Sequence, residues 1–188
     1  MSPFQGSAQL IAALDAAVRH DCQSAITNEM RRSLCELIER DEVKLPACVF
    51  EPVSGHYARR ELYCSDEFGY AVIAMTWGPG QGTLIHDHDG MWCVEGVWHG
   101  EIEVTPYELL EQTEQGWRFA PRGTMSAGRG SAGSLIPPHD HHTIHNPSSD
   151  AIAVTLHVYR GSLNSCAVFL PQDNGWYQRE ERSLSLDQ

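Results

Sequence analysis

A mainly β domain, a small barrel or sandwich of short strands behind a helical segment, is the fold class this 188-residue sequence predicts. Two observations carry that expectation. Residues 1–45 place apolar side chains at helical spacing, and from Tyr57 onward short β-rich runs alternate with Gly, Pro, Asp and Asn. Many short strands at close spacing fit a barrel or sandwich better than a parallel α/β sheet.

In order along the chain, Ser7 reads as a cap for a helix Ala8–His20, with Leu10, Ile11, Leu14 and Val18 on one face. A second helix, Ser24–Arg40, sets Ile26, Met30, Leu34 and Leu37 at three- and four-residue steps. Both are too short to be stable alone in water, so they are expected to pack on the β-rich remainder of the chain. Asp41–Ser54 holds Pro46 and Pro52 and reads as a connector. Strands are then expected at Glu61–Cys64, Tyr70–Met75, Trp92–Trp98, Glu101–Val104 and Ala151–Tyr159, with Gly123–Gly133 as a loop. The whole chain reads as one domain, with residues 55–170 as the barrel core.

Composition narrows the function classes. A formal net charge of −12 argues against nucleic acid, whose phosphates call for a face rich in Lys and Arg. No apolar run approaches the roughly 18 residues of a membrane span. The first residues lack the basic start and apolar stretch of a secretory signal, so the expected location is cytoplasmic. The six cysteines are scattered without a Cys-x-x-Cys pair, which fits free thiols in a reducing compartment. Ten histidines are many for this length, and most lie between Gly80 and Tyr159.

The strongest chemical signal is Gly80-Gln81-Gly82-Thr83-Leu84-Ile85-His86-Asp87-His88. Successive strand residues point to opposite faces, so His86 and His88 face one way and Asp87 the other. Two imidazoles from one strand can hold one ion if a third ligand comes from elsewhere. The run Pro137-Pro138-His139-Asp140-His141-His142-Thr143-Ile144-His145-Asn146 offers four candidates.

These residues resemble the two motifs of the cupins, which are small β-barrels of jelly-roll type. Gly80, His86, His88 and Gly100 fall on the first motif, with Cys93 where a carboxylate is usual. His142 and Asn146 fall on the second motif, with His139 at its usual glycine. On that register His142 is the third ligand, ahead of His139, His141 and His145. Cys93 as a fourth ligand would instead make a closed, zinc-like site.

Within the cupins the chain resembles the cysteine dioxygenase family, the thiol dioxygenases. The residues carrying the resemblance are Tyr57-Ala58-Arg59, Trp77-Gly78, Gly80, Gly82, His86-Asp87-His88, Cys93, His142, Asn146, Thr155-Leu156-His157-Val158-Tyr159, Cys166 and Phe169. The resemblance implies Fe(II) on His86, His88 and His142, and a thioether between Cys93 and Tyr159. It also implies a substrate carboxylate held by Arg59 with Tyr57, or by the adjacent Arg60 if the register slips by one. Relatives acting on 3-mercaptopropionate place an arginine after the Tyr159 strand, and Gly161–Val168 has none, which favours cysteine. In strand Ala151–Tyr159, Val154, Leu156 and Val158 share one face. Thr155, His157 and Tyr159 share the other, a polar row suited to a hydrogen-bond relay beside the ligands. The implied function is an Fe(II)-dependent oxidoreductase of cysteine catabolism, converting L-cysteine and O₂ to the sulfinic acid. Tyr159, His157 and Cys93 are its catalytic groups, Thr155 lies behind His157, and Trp77 forms a wall. The expected partners are a small thiol and O₂, with no nucleic acid or membrane, for a monomer or weak homo-oligomer. Other readings are a dioxygenase for 3-mercaptopropionate or mercaptosuccinate, and a metal cupin of another activity.

Overall fold

The computed structural model describes residues 3–188. Two helices, α1 (Ser7–Val18) and α2 (Gln23–Arg40), lead into a 3₁₀ turn at Ala47–Phe50. Twelve strands come after them. The first six are β1 (Ala58–Ser65), β2 (Tyr70–Trp77), β3 (Ile85–His86), β4 (Cys93–His99), β5 (Glu101–Thr113) and β6 (Gly116–Pro121). The others are β7 (Met125–Gly128), β8 (Ala132–Leu135), β9 (His142–His145), β10 (Ala153–Tyr159), β11 (Ser165–Pro171) and β12 (Tyr177–Ser183). They form two antiparallel sheets, ordered β1-β2-β10-β4-β8 and β6-β12-β11-β3-β9-β5-β7. Strand β6 also pairs with the far half of β5, so the larger sheet curls back on itself. This is the cupin-type β-barrel, mainly β with a helical segment at its N-terminal side.

The smaller sheet is buried on both faces, and each face does a different job. Val72, Ala74, Val94, Val154, Leu156 and Val158 pack outward under the helices, against Leu10, Leu14, Met30, Leu34 and Ile38. Ile73, Met75, Trp77, Cys93, Val97 and Tyr159 point inward to the barrel. Double burial explains why β2 reads as an unbroken apolar run rather than an alternating one. It also fixes which way the polar residues of β10 point. With its even-numbered residues under the helices, Thr155, His157 and Tyr159 must face the barrel interior.

Two glycines are dictated by close approach. Gly100 turns the chain between β4 and β5 at φ 72°, and a Cβ there would lie 2.6 Å from the Ile152 carbonyl oxygen. A Cβ on Gly82 would lie 2.7 Å from the Ile144 carbonyl oxygen, so glycine lets the segment before β3 run against β9. Asn146 fastens the same corner. Its Nδ2 donates to the carbonyl oxygens of Trp77, Gly78 and Ala151 at 2.9–3.1 Å. His139 stands where the motif has glycine without strain, because it is not among the residues of positive φ.

Three expectations need correction. Ser7 lies inside α1, and the preceding Gly6, at φ 78°, is the cap residue; no side chain caps it. Gly123–Gly133 is not a loop, because its small residues form β7 and the start of β8 at the edges of the two sheets. The β structure also extends past residue 170: β12 pairs along the whole of β11 and brings residues 184–188 back against β1.

Candidate active site

His86 and His88 lie on and just after β3, and His142 opens β9 as the register partner of His86. The ring centroids are 4.5 Å apart for His86 and His142, 5.1 Å for His88 and His142, and 5.3 Å for His86 and His88. Their donor atoms lie within 4.8 Å of one another. What aims them is the partner of each Nδ1: the Leu84 carbonyl for His86 at 3.1 Å, and the Asp140 carbonyl for His142 at 2.9 Å. For His88 it is the Asp140 carboxylate at 3.2 Å. All three partners only accept, so each Nδ1 carries the proton and each Nε2 presents a lone pair. The Nε2 atoms of His88 and His142 are buried without a hydrogen-bond partner. Three imidazole donors within 4.8 Å of one another, two of them buried without a hydrogen-bond partner, suit a metal ion. Burial and the neighbouring rings push His86 well below the usual histidine pKa, and burial lowers His88 as well, which keeps both neutral as ligands must be.

The other candidates for third ligand are elsewhere. His141 packs tilted against Phe119 and edge-on against Phe169, and exposed His145 sits 3.7 Å from Glu103. His139 lines a second cavity bounded by β4, β5, β7 and β8, whose wall includes Glu95 and Thr155.

A polar chain runs up β10 beside the triad. Trp77 Nε1 donates to Thr155 Oγ1 at 2.9 Å, and Thr155 Oγ1 meets His157 Nε2 at 2.7 Å. His157 Nδ1 lies 3.3 Å from the Tyr159 hydroxyl and 3.9 Å from Cys93 Sγ. Cys93 and Tyr159 are direct register partners across β4 and β10. Burial, then the nearby Glu95 carboxylate, pushes the Cys93 thiol well above its usual range; burial and Cys93 do the same for the Tyr159 phenol.

One cavity joins this chain to the triad. Its lining includes Tyr57, Arg59, Trp77, His86, His157 and Tyr159. Tyr57 stacks on Trp77 with ring centroids 4.5 Å apart. Arg59 is 5% exposed, and its terminal nitrogens donate to the carbonyls of Leu163 and Ser185 at 3.2 Å. Its Nε is buried with no partner at all. Arg60 points away from this cavity, donating to Thr76 Oγ1, the Glu51 carbonyl and the Gln188 carbonyl.

Two residues of the site lie outside the sequence motifs. Asp140 grips His88 by both its backbone and ring nitrogens. Glu95 lies inside the barrel, 8% exposed, with Oε1 3.3 Å from His142 Nε2 and 3.1 Å from His157 Nδ1. Burial opposes its charge, yet the two facing imidazoles hold its pKa well below the carboxylate range. Burial likewise opposes charge on His142, and Glu95 outweighs it, raising the His142 pKa. A signal for Glu95 exists in the sequence: a lone carboxylate in the apolar run Trp92–Trp98, two residues from Cys93 and so on the same strand face.

A family model described as cysteine dioxygenase type I matches residues 48–172. Cysteine dioxygenase type 1 of Danio rerio is 26% identical over 100 residues, covering 53% of this chain and 49% of that protein. The chain thus spans about half the length of that relative. The Rattus norvegicus protein of the same name is 22% identical over 156 residues, covering 75% of this chain and 77% of its own length. Among solved structures, a protein with a double-stranded β-helix domain from Klebsiella pneumoniae aligns with a TM-score of 0.49 at 17% identity. That alignment covers 69% of this chain and 93% of that one. A Cupin 2 conserved barrel domain protein from Salinispora arenicola gives a TM-score of 0.44 at 13% identity, over 63% of this chain and 87% of that one.

Proposed function

Because this chain belongs to the cysteine dioxygenase type I family, we propose that it is an Fe(II)-dependent thiol dioxygenase that converts L-cysteine and O₂ to cysteine sulfinic acid. The observation that supports this reading is the single cavity running from His86 of the triad to the Arg59 guanidinium. A thiol acid bound there would have a metal ligand, His86, at one end and a guanidinium for its carboxylate at the other.

His86, His88 and His142 would hold the ion, and their neutral imidazoles leave its charge free to attract a thiolate. When bound, iron(II) supplies the redox chemistry by which both atoms of O₂ are transferred to sulfur, the sulfinic step of the cysteine oxidation ladder. The protein's own part is placement. Arg59, whose buried Nε–H has no partner, would hold the substrate carboxylate, and Tyr57, stacked on Trp77, would close the wall beside it. The acceptor-only Glu95 carboxylate near His157 Nδ1 puts the ring proton on that nitrogen. Thr155 then donates to His157 Nε2, and Trp77 Nε1 fixes the Thr155 hydroxyl from behind. Tyr159 accepts from His157 Nδ1–H, so its own O–H is free to donate to the sulfur or oxygen in the chamber. The thioether between Cys93 and Tyr159 fits their cross-strand pairing; it forms with loss of two hydrogens, O₂ being the oxidant. A cytoplasmic setting suits the six free cysteines, and among the described residues no helix is long and apolar enough to cross a membrane.

Mercapto-acids without an amine, 3-mercaptopropionate and mercaptosuccinate, satisfy the same two anchors. The test is O₂ uptake by Fe(II)-loaded protein with L-cysteine, cysteamine, 3-mercaptopropionate and mercaptosuccinate. L-Cysteine giving the highest kcat/KM is the expected result. No uptake with any thiol would refute the reading, and a higher value for a mercapto-acid would reassign the substrate.

A further inference from the structure

We propose that Asp187 is a positioning residue for the substrate carboxylate: it docks a strap, residues 184–187, on β1, and the strap holds the Arg59 guanidinium at the cavity wall. This rests on Arg59 being the carboxylate grip and adds to it a residue 128 positions away in the chain.

Three observations point the same way. First, the docking is specific. Strand β1 is at the edge of its sheet, with β2 as its only strand neighbour there. The Arg59 backbone faces the open side, and Asp187 takes up both of its polar groups. Asp187 N–H donates to the Arg59 carbonyl at 2.7 Å, and Arg59 N–H donates to Asp187 Oδ2 at 2.9 Å. The other carboxylate oxygen, Oδ1, lies 3.0 Å from His56 Nε2. One side chain thus ties down residues 56–59, the segment that carries both Tyr57 and Arg59.

Second, the strap reaches the guanidinium itself. One terminal nitrogen of Arg59 donates to the Ser185 carbonyl and the other to the Leu163 carbonyl, both at 3.2 Å. Leu184 N–H donates to the Asn164 carbonyl at 2.8 Å, so strap and the Leu163–Asn164 turn are joined to each other as well. Between them they grip the fork from two sides. The Leu184 side chain lines the same cavity as Arg59 and Tyr57. With Asp187 undocked, the Ser185 carbonyl has nothing to keep it in place, and one of the two anchors is lost.

Third, the grip leaves the charge free. Both partners of the guanidinium are neutral carbonyls, and Asp187 meets only the Arg59 backbone N–H. Among the described residues, no ion pair includes Arg59. A buried cation fixed in direction and short of an anion is preorganised for a ligand's carboxylate.

The test is anaerobic calorimetric titration of Fe(II)-loaded protein with L-cysteine, which gives Kd without turnover. Wild type, Asp187→Ala, Arg59→Ala and the double variant are compared, with circular dichroism to verify folding. Asp187→Ala should raise Kd about five-fold or more, the lower end of the coupling by which one site tunes another. A residue that acts through the guanidinium adds nothing once the guanidinium is gone, so the double variant should bind within roughly two-fold of Arg59→Ala. A general loosening of the barrel would instead multiply the two losses. Hydrogen exchange on metal-free wild type needs no variant: the Arg59 and Asp187 amides should exchange far more slowly than in free peptide. Both amides exchanging at the free-peptide rate would overturn the docking. An Asp187→Ala Kd within roughly two-fold of wild type, or losses that multiply, would overturn the positioning role while leaving the Arg59 grip in place. No binding of L-cysteine by wild type, or undiminished binding by Arg59→Ala, would overturn the grip and this inference with it.

Discussion

Replacing Thr155 with valine tests whether the polar chain on β10 is held by its hydrogen bonds or only by packing. The two side chains have nearly the same shape, so little else changes. Thr155 Oγ1 is the partner of both Trp77 Nε1 and His157 Nε2, at 2.9 and 2.7 Å, and all three residues are fully buried. Valine leaves an indole N–H and an imidazole nitrogen without partners, each costing about 1–3 kcal/mol, so the predicted loss is roughly 2–6 kcal/mol. Against a total stability of about 5–15 kcal/mol this is large. For a chain of this size it lowers Tm by about 4–24 °C. Thr155→Ser keeps the hydroxyl and gives up one methyl, about 1 kcal/mol. Denaturant unfolding of the metal-free proteins measures all of this, and a cycle with Trp77→Phe isolates the pair. The double variant should lose about 1–3 kcal/mol less than the two single losses added, because the orphaned indole donor is then absent. A Thr155→Val protein within 1 kcal/mol of wild type, or an additive cycle, would refute the reasoning.

Arg59→Ala should raise KM for L-cysteine about 10- to 150-fold, the worth of a hydrogen-bonded charge pair, and leave cysteamine, which has no carboxylate, nearly unaffected. Arg60→Ala should instead lower stability by about 2 kcal/mol or more, with KM within three-fold, since its partners are Thr76, Glu51 and Gln188. The reverse pattern in steady-state kinetics would move the carboxylate grip to Arg60. Asp140→Asn weakens the hold on His88 and should lower metal affinity about 10- to 100-fold in chelator competition; unchanged affinity would contradict its orienting role. Iodoacetamide on native protein at mildly alkaline pH should modify exposed Cys22 and Cys64 but spare Cys93, buried and with its pKa pushed well up. Peptide mass mapping checks this, and alkylation of Cys93 at the rate of Cys22 would show that the interior opens.

Much of the fold and site is legible in the residues because strands enforce simple rules. His86 and His88 alternate onto one face, and the period-two row Thr155, His157, Tyr159 survives intact as a buried chain. The helical pattern of Leu10, Leu14, Met30 and Leu34 names the residues that cover the smaller sheet. Gly123–Gly133 has the composition of a loop because its strands are held by pairing at sheet edges, where small residues suffice and propensity is silent. Glu95 is masked by Cys93: the motif's register points to one position, and only strand alternation shows that both residues face inward. The link between Arg59 and Ser185 joins residues 126 apart, a contact no local pattern encodes.

The most direct test of the central claim is isotopic. Fe(II)-loaded protein turning over L-cysteine under ¹⁸O₂ should yield cysteine sulfinic acid with label at both sulfinate oxygens, one O₂ consumed per product. Product that takes its oxygen from water, or thiol that is converted only to disulfide, would contradict it.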